Sequence, residues 1–377
     1  MEINRHIINI LKADIFSGKA ILLLGARQTG KTTALKRLVK SYENILWLNA
    51  DEADVRDLFE HPSATMLRVK FEGYRIVVID EAQRIENIGI KLKLITDEIS
   101  DLQLIVTGSS AFELSNTINE PLTGRKWEHK LYPLSFSEMV NHHGSFEEKK
   151  LLSHRLVFGY YPEVVTSTGN EKRVLTEIAN SFLYKDILQW EGIKKPDKLV
   201  KIMQALAFQI GSQVSFHEIA QLVGLDNQTV EKYIQLLEQT FVIFRLNSFS
   251  RNLRNELKKS RKIYFYDNGI RNSLISNFNS PGLRQDTGQL WENFIISERQ
   301  KQLNYKNIYT NAYFWRTLEK QEIDYIEERD GKLFAYEFKW NPIKQPRLSK
   351  TFSRAYPKHE YKVISPDNFE EFIYQQE

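Results

Sequence analysis

The chain is 377 residues long, carries 52 lysines and arginines against 48 aspartates and glutamates for a net charge of +4, and is 42% hydrophobic. That length can bury more than one core, and so small a net charge gives no argument for nucleic-acid binding, which must come from how charge is distributed. There is no cysteine, which excludes disulfides, thiolate metal ligands and cysteine nucleophiles; no apolar run approaches the roughly 18 residues of a membrane span, and a cytoplasmic location without membrane partners is expected.

In chain order, Ile3, Ile7, Leu11 and Ile15 recur at helical spacing. They predict an amphipathic helix rather than a signal peptide, because Arg5, Lys12 and Asp14 interrupt the isoleucines. The apolar run Ala20 to Leu24 reads as a buried strand. It feeds Gly25-Ala26-Arg27-Gln28-Thr29-Gly30-Lys31-Thr32, which fits G-x-x-x-x-G-K-[ST]. Thr33 to Lys40 then reads as a helix with Leu35, Leu38 and Val39 on one side. Strand, glycine loop and helix in that order are the context of a phosphate-binding loop. There the glycines let backbone N–H groups approach phosphates, Lys31 reaches the β and γ oxygens, and the Thr32 hydroxyl is a ligand for Mg²⁺. Gly25, Ala26, Arg27, Gln28, Thr29, Gly30, Lys31, Thr32 and Thr33 are the expected ATP-binding residues.

Ile45 to Leu48 supplies another strand, followed by Asn49 and Asp51. A further apolar run from Arg75 delivers Asp80 and Glu81 to its end, the edge at which open α/β sheets bind ligands. Asp80 is expected to hold Mg²⁺, and Glu81 to orient or deprotonate the attacking water; two acids at a helix N-terminus are the alternative. Leu102 to Val106 leads into Thr107-Gly108-Ser109-Ser110, hydroxyls that suit either an N-cap or a γ-phosphate sensor, with Ser109 the sensor candidate.

Strands alternating with helices indicate a parallel three-layer α/β sheet. With Leu122-Thr123-Gly124-Arg125, Leu134-Ser135-Phe136 and Tyr161-Pro162-Glu163-Val164, these strings resemble the AAA+ superfamily. More narrowly, the chain resembles, along nearly its whole length, the bacterial and archaeal ATPases that pair an AAA-14 type core with a DUF4143 C-terminal region. Ala26 stands where proline is usual and Thr29 where valine is usual; neither removes a phosphate contact. The resemblance implies an α/β multidomain fold: a P-loop AAA+ core of αβα layers over 1–136, a helical lid over 137–197, a winged-helix domain over 198–279 and a restriction-endonuclease-like α/β domain over 280–377. ATP and Mg²⁺ are the implied cofactors. Arg125 is expected as a finger reaching a neighbour's nucleotide, which implies a homo-oligomer, or else as a salt-bridged or DNA-facing arginine. Asp-Glu-Ala-Gln is shared with helicases, but no second αβ repeat follows residue 140.

Ser137 to Asp197 reads as helical, broken around Gly159-Tyr160-Tyr161-Pro162, with Phe182, Tyr184 and Trp190 as core residues. Ser215-Phe216-His217-Glu218 resembles a capping box. The helix it opens ends at Val223, and Gly224-Leu225-Asp226 makes the turn. A second helix starts near Asn227, with Val230, Tyr233, Ile234 and Leu237 apolar and Asn227, Gln228 and Lys232 exposed; Phe241 to Leu246 follows as a strand. This reads as a winged helix, either a DNA groove reader or a protein scaffold. From Arg245 to Lys262, seven cations (245, 251, 254, 258, 259, 261, 262) face one acid, Glu256, a stripe suited to DNA phosphates or to a solvated loop.

Glu322 to Glu327 and Lys332 to Trp340 read as strands of a hairpin around Asp330-Gly331. Asp324 lies on the first, and Glu337 and Lys339, two apart on the second, share a face. This resembles the D…E-x-K cluster of PD-(D/E)XK nucleases, in which the acids bind Mg²⁺ and the lysine orients water or stabilises the charged transition state. Glu292, on a helix expected from Gly288 to Gln300, is the further acidic ligand implied; such folds are also reused for binding alone. Asp267-Asn268-Gly269 reads as a turn or cap. Together these features lead to a Mg²⁺-dependent AAA+ ATPase acting on DNA. The alternatives are an ATP-gated metal-dependent nuclease, and an NTP-driven signalling or transcription-regulatory switch with a silent nuclease-like arm.

Overall fold

A computed structural model of the chain describes residues 3–109, 122–181, 195–250, 261–317, 319–341, 343 and 346–374. They divide into two compact units, one of residues 4–133 with 239–241, the other of 1–3, 134–238 and 242–377.

The first unit opens with α1 (His6–Asp14), which buries Ile7, Ile8 and Leu11. After β1 (Ala20–Leu24) and α2 (Lys31–Val39) come β2 (Ile45–Asn49), α3 (Ala53–Leu58), α4 (Ala64–Phe71), β3 (Ile76–Asp80), α5 (Ile88–Glu98), β4 (Gln103–Gly108) and β5 (Lys126–Lys130). The five strands form one sheet in the order β2-β3-β4-β1-β5, parallel at every pairing. Every residue of β1, β3 and β4 is buried, as a parallel sheet covered by helices on both faces requires. That is why these strands are continuous apolar runs rather than alternating ones. β1 has its expected bounds. β4 runs two residues past the expected Val106, so Thr107 belongs to the strand. The C-terminal ends of β1, β3 and β4 share one sheet edge and deliver the glycine loop, Asp80–Glu81 and Thr107–Ser109 there.

The second unit starts with helices Phe136–His143, Ser145–Lys150, Leu152–Phe158, Pro162–Thr166 and Glu171–Ser181. The first begins with a reciprocal capping box between Ser135 and Glu138. The expected break falls at Gly159, at φ 70, where a Cβ would lie 2.1 Å from Asp267 Oδ1. Asp267 is a cap, as expected: it accepts from the Tyr160 N–H (2.6 Å) and the Gly269 N–H (2.8 Å). Phe182, Tyr184 and Trp190 lie outside the described residues.

Helices Pro196–Phe208, Phe216–Val223 and Asn227–Gln239 follow. Ser215 accepts from the Glu218 N–H at 3.3 Å, and Gly224 ends the Phe216–Val223 helix in the left-handed conformation. The strands are β6 (Gln213–Val214), β7 (Ile243–Ser248), β8 (Arg261–Phe265), β9 (Asn311–Arg316), β10 (Glu322–Arg329), β11 (Lys332–Phe338) and β12 (His359–Ile364). They form a single sheet in the order β12-β11-β10-β9-β7-β8-β6. β7 joins its two halves, pairing antiparallel with β8 and parallel with β9, so strands expected in two segments, 198–279 and 280–377, share this sheet. Asp330 and Gly331 both have positive φ (49 and 72), the hairpin turn whose twist matches its strands. Helix Thr287–Tyr305, five residues longer than expected at its C-terminal end, contacts β8 and β11. Among the described residues no helix is long and apolar enough to cross a membrane.

Candidate functional site

The glycine loop takes a shape that few residues allow. A Cβ on Gly25 would lie 2.2 Å from the Leu131 carbonyl oxygen, and Gly30 has φ +92. Gly30 caps α2 and leaves the first backbone N–H groups of that helix at the loop. Thr29 Oγ1 donates to the Ala26 carbonyl (2.8 Å), and Arg5 binds the loop from outside through the Thr29 carbonyl (2.7 Å). Lys31 is buried. Its ammonium donates to the Gly25 (2.8 Å) and Ala26 (3.0 Å) carbonyls, which spans the loop from the first residue of α2 back to the loop's own first residue.

Three motifs meet at this edge. Thr32 Oγ1 donates to Asp80 Oδ2 (2.8 Å), and Thr107 Oγ1 to Asp80 Oδ1. Glu81 sits at φ 55, an uncommon backbone conformation for glutamate, with its N–H on Thr107 Oγ1 (3.1 Å). Gln83 bridges the next pair: its Nε2 donates to Glu81 Oε2 (2.6 Å) and Ser109 Oγ (2.9 Å). The amide must face this way, because its carbonyl oxygen would repel the carboxylate. Gln83 Oε1 is buried without a hydrogen-bond partner among the described residues. The sequence reading placed Lys31, Thr32, Asp80, Glu81 and Ser109 here and missed Gln83. The signal was available in its position, two residues beyond Glu81 on the short turn that Glu81 caps.

Arg125 lies elsewhere. Ala20 pairs with Lys126 and Leu24 with Lys130, so Arg125 stands at the N-terminal edge of the sheet, roughly 13 Å of strand from the glycine loop. Its Nε binds Asp97 Oδ1 at 2.5 Å in a half-exposed pair. This places Arg125 away from its own chain's glycine loop and in a salt bridge, one of the alternatives to a finger.

In the second unit the expected acids come together with a residue the sequence reading had placed in a basic stripe. Asp324 Oδ2 accepts from the Phe338 N–H (2.8 Å). Lys339, just past β11, donates to Glu337 Oε1 (2.8 Å) and lies 3.8 Å from Asp324 Oδ2. Glu292 accepts from Tyr264 OH (2.5 Å) and Lys262 Nζ (3.0 Å). Lys262 also lies 2.6 Å from Glu322 Oε1, while Arg316 stands 3.4 Å from Glu322 Oε2. Burial pushes the Glu292 carboxyl up to about 7, with Lys262 opposing and Asp324 adding to the shift. Burial, then Asp324, also raises Glu337. For Lys339, burial favours the neutral amine, but Asp324 and Glu337 outweigh it and raise its pKa. Among the described residues no group of three or more His, Cys, Asp or Glu side chains is placed to hold a metal ion.

The described cations of the 245–262 stripe are engaged within the unit. Arg245 pairs with Glu238 (2.7 Å), Arg261 with Glu231 (3.4 Å), and Lys262 is buried in the acidic cluster. Positions 251, 254, 256, 258 and 259 lie outside the described residues. Asn227, Gln228 and Lys232 are exposed on their helix, as expected.

The family profile for an AAA domain matches residues 17–140. That of a domain of unknown function, DUF8612, matches 149–281, and that of a second one, DUF4143, matches 287–375. An uncharacterised protein of Haemophilus influenzae is 28% identical over 279 residues, which cover 69% of this chain and 67% of that protein. One of Mycobacterium tuberculosis is 25% identical over 352 residues, 92% of this chain and 75% of that protein. The structure of the Walker-type ATPase PABY2304 of Pyrococcus abyssi is similar in fold, with a TM-score of 0.51 and 15% identity over 73% of this chain and 96% of that one. With its glycine loop and strand-end acids on one parallel-sheet edge and its AAA and DUF4143 profiles in sequence order, the chain is a P-loop ATPase of the AAA-14/DUF4143 family.

Proposed function

We propose that the chain is a Mg²⁺-dependent ATP hydrolase that acts on DNA. The observation that carries the hydrolase reading is the meeting of Lys31, Thr32, Asp80, Glu81 and Ser109 at one sheet edge. The Thr32 hydroxyl and the Asp80 carboxylate are hard oxygen donors that fit Mg²⁺ and would hold it. When bound, that ion neutralises charge on the β and γ oxygens. The backbone N–H groups of Gly25 to Thr33 and the N-terminus of α2 cradle the phosphates. Lys31 leaves the Gly25 and Ala26 carbonyls to meet them. Glu81 orients the attacking water and takes its proton as the γ-phosphoryl transfers to that water and ADP leaves. Ser109 senses the γ-phosphate, and Gln83 fixes Glu81 relative to it.

The DNA reading draws on Asn227, Gln228 and Lys232, exposed on the second of two helices joined by a tight turn, where polar side chains reach base edges and phosphates. In this scheme residues 1–136 are the motor, 137–197 the lid, 198–279 the DNA-reading part and 280–377 the nuclease-like arm. Arg125 acts in trans, on the nucleotide of a second copy. ATP turnover measured with single-stranded, duplex and branched DNA tests the scheme: it rises with at least one form. Equal rates with every form, together with no binding at low salt, would overturn it.

A second reading, an NTP-driven switch with a silent arm, is favoured by the internally paired acids around Lys262. Tight nucleotide retention with negligible turnover would select it.

A further inference from the structure

We infer that Lys262 is the resident cation of the acidic cluster in the second unit, and that the cluster therefore takes no divalent metal. A Mg²⁺ or Mn²⁺ site requires carboxylate oxygens that converge with lone pairs to spare, around a position that no other cation holds. The PD-(D/E)XK resemblance assigns that task to Glu292, Asp324 and Glu337. Each of the three is already committed.

Lys262 and Tyr264 are two residues apart on β8 and so project to one face; both bind the carboxylate of Glu292. Lys262 is 1% exposed. Its ammonium lies between Glu292 (3.0 Å) and Glu322 (2.6 Å) and over the ring of Phe314 (5.5 Å). A buried ammonium needs such partners to stay charged, and here it has two carboxylates and an aromatic face. Asp324 has one oxygen on the Phe338 N–H, and Glu337 holds Lys339. Four carboxylates, Glu292, Glu322, Asp324 and Glu337, thus face three cations, Lys262, Lys339 and Arg316. At most one net negative charge is left where a divalent ion would enter beside an ammonium it repels. The open side adds no acid to this set: Glu322 and Glu337 line a cavity of about 440 Å³ with Arg347 and Lys350. Among the described residues no three acids are placed so that they could hold a metal ion together. The lysine does electrostatically what the metal does in the nucleases, but it supplies no activated water.

The test is Mn²⁺ binding by the full chain without nucleotide, followed by electron paramagnetic resonance, with Thr32→Ala in every sample to remove the phosphate-loop ligand. The parent chain leaves Mn²⁺ free at millimolar concentration, and Glu337→Gln changes nothing. Lys262→Met keeps the aliphatic stem over Phe314 but removes the charge, so it gains one Mn²⁺ site at least about tenfold tighter. Adding Glu337→Gln to that variant abolishes the new site. Stoichiometric Mn²⁺ on the parent chain that Glu337→Gln or Asp324→Asn removes would overturn the inference. So would a folded Lys262→Met variant that gains no site. If Lys262→Met does not fold, the comparison of the parent chain with Glu337→Gln decides alone.

Discussion

Thr32 Oγ1 donates to Asp80 Oδ2 across 2.8 Å, joining the end of the glycine loop to the end of β3, 48 residues later. Each supplies an oxygen at the same sheet edge, and Asp80 keeps its other oxygen on the Thr107 hydroxyl. Thr32→Ala removes one of the two oxygens. ATP turnover is expected to fall on the order of 10²-fold, which corresponds to about 2.7 kcal/mol of barrier. Steady-state phosphate release at saturating ATP and Mg²⁺ measures it.

Glu81→Gln keeps the shape of the side chain and removes its basicity. Loss of a positioned general base costs about 10²–10⁴-fold, so the variant should bind ATP normally and hold it unhydrolysed. Nucleotide retained through gel filtration reads this out. Normal turnover would mean that Glu81 is not the base.

Gln83 acts on Glu81 and Ser109 rather than on phosphate. Gln83→Ala should lower kcat about tenfold and leave KM unchanged, the pattern for a group that matters only in the transition state. Gln83→Glu, which sets a second carboxylate against Glu81, should be worse than alanine. If KM rises with kcat intact, the residue serves binding instead.

Lys232→Ala should weaken binding to every DNA sequence to a similar degree. It should also lower the slope of log affinity against log salt by about 1, the signature of one phosphate contact. Titrations at several salt concentrations measure the slope. An unchanged slope would remove this helix from the interface.

Asp286 supplies a pH-dependent prediction. Burial works to raise its pKa, but hydrogen bonds from Arg284 and Arg271 and their charges outweigh it and hold the carboxyl at about 2. An unfolded aspartate titrates near about 3.9. The folded state therefore binds fewer protons between these values, and the contribution to stability is complete above about 4 and lost as pH falls toward about 2. Asp286→Asn should cost about 1–3 kcal/mol at neutral pH, reduced from the buried-pair value because the carboxylate is partly exposed. Thermal melts of both forms should show the difference shrinking below pH 4. A constant difference would mean that packing, not charge, is responsible.

The nucleotide edge was legible in the sequence because its chemistry is local. Gly25 to Thr32 are contiguous, and Ala20–Leu24 and Ile76–Asp80 are runs too apolar to be anything but buried strands. The second unit was legible only in pieces. The Asp330–Gly331 turn and the helices around Gly224 follow from short-range preferences. The single seven-stranded sheet depends on Asn247 and Ser248 pairing with Tyr313 and Phe314, a long-range choice that no local pattern encodes. Lys262 was misread for a related reason: in a count of charges it belongs to a basic stripe, and only its place before Ile263, Tyr264 and Phe265 on β8 hints that its ammonium is buried.

The most direct test of the central claim is steady-state hydrolysis of ATP with Mg²⁺ by the full chain and by its Lys31→Ala variant, each with and without DNA. Turnover by the parent chain that DNA accelerates is expected, with none above background by Lys31→Ala. Equal rates in the two proteins, or no hydrolysis by the parent chain under any condition, would contradict it.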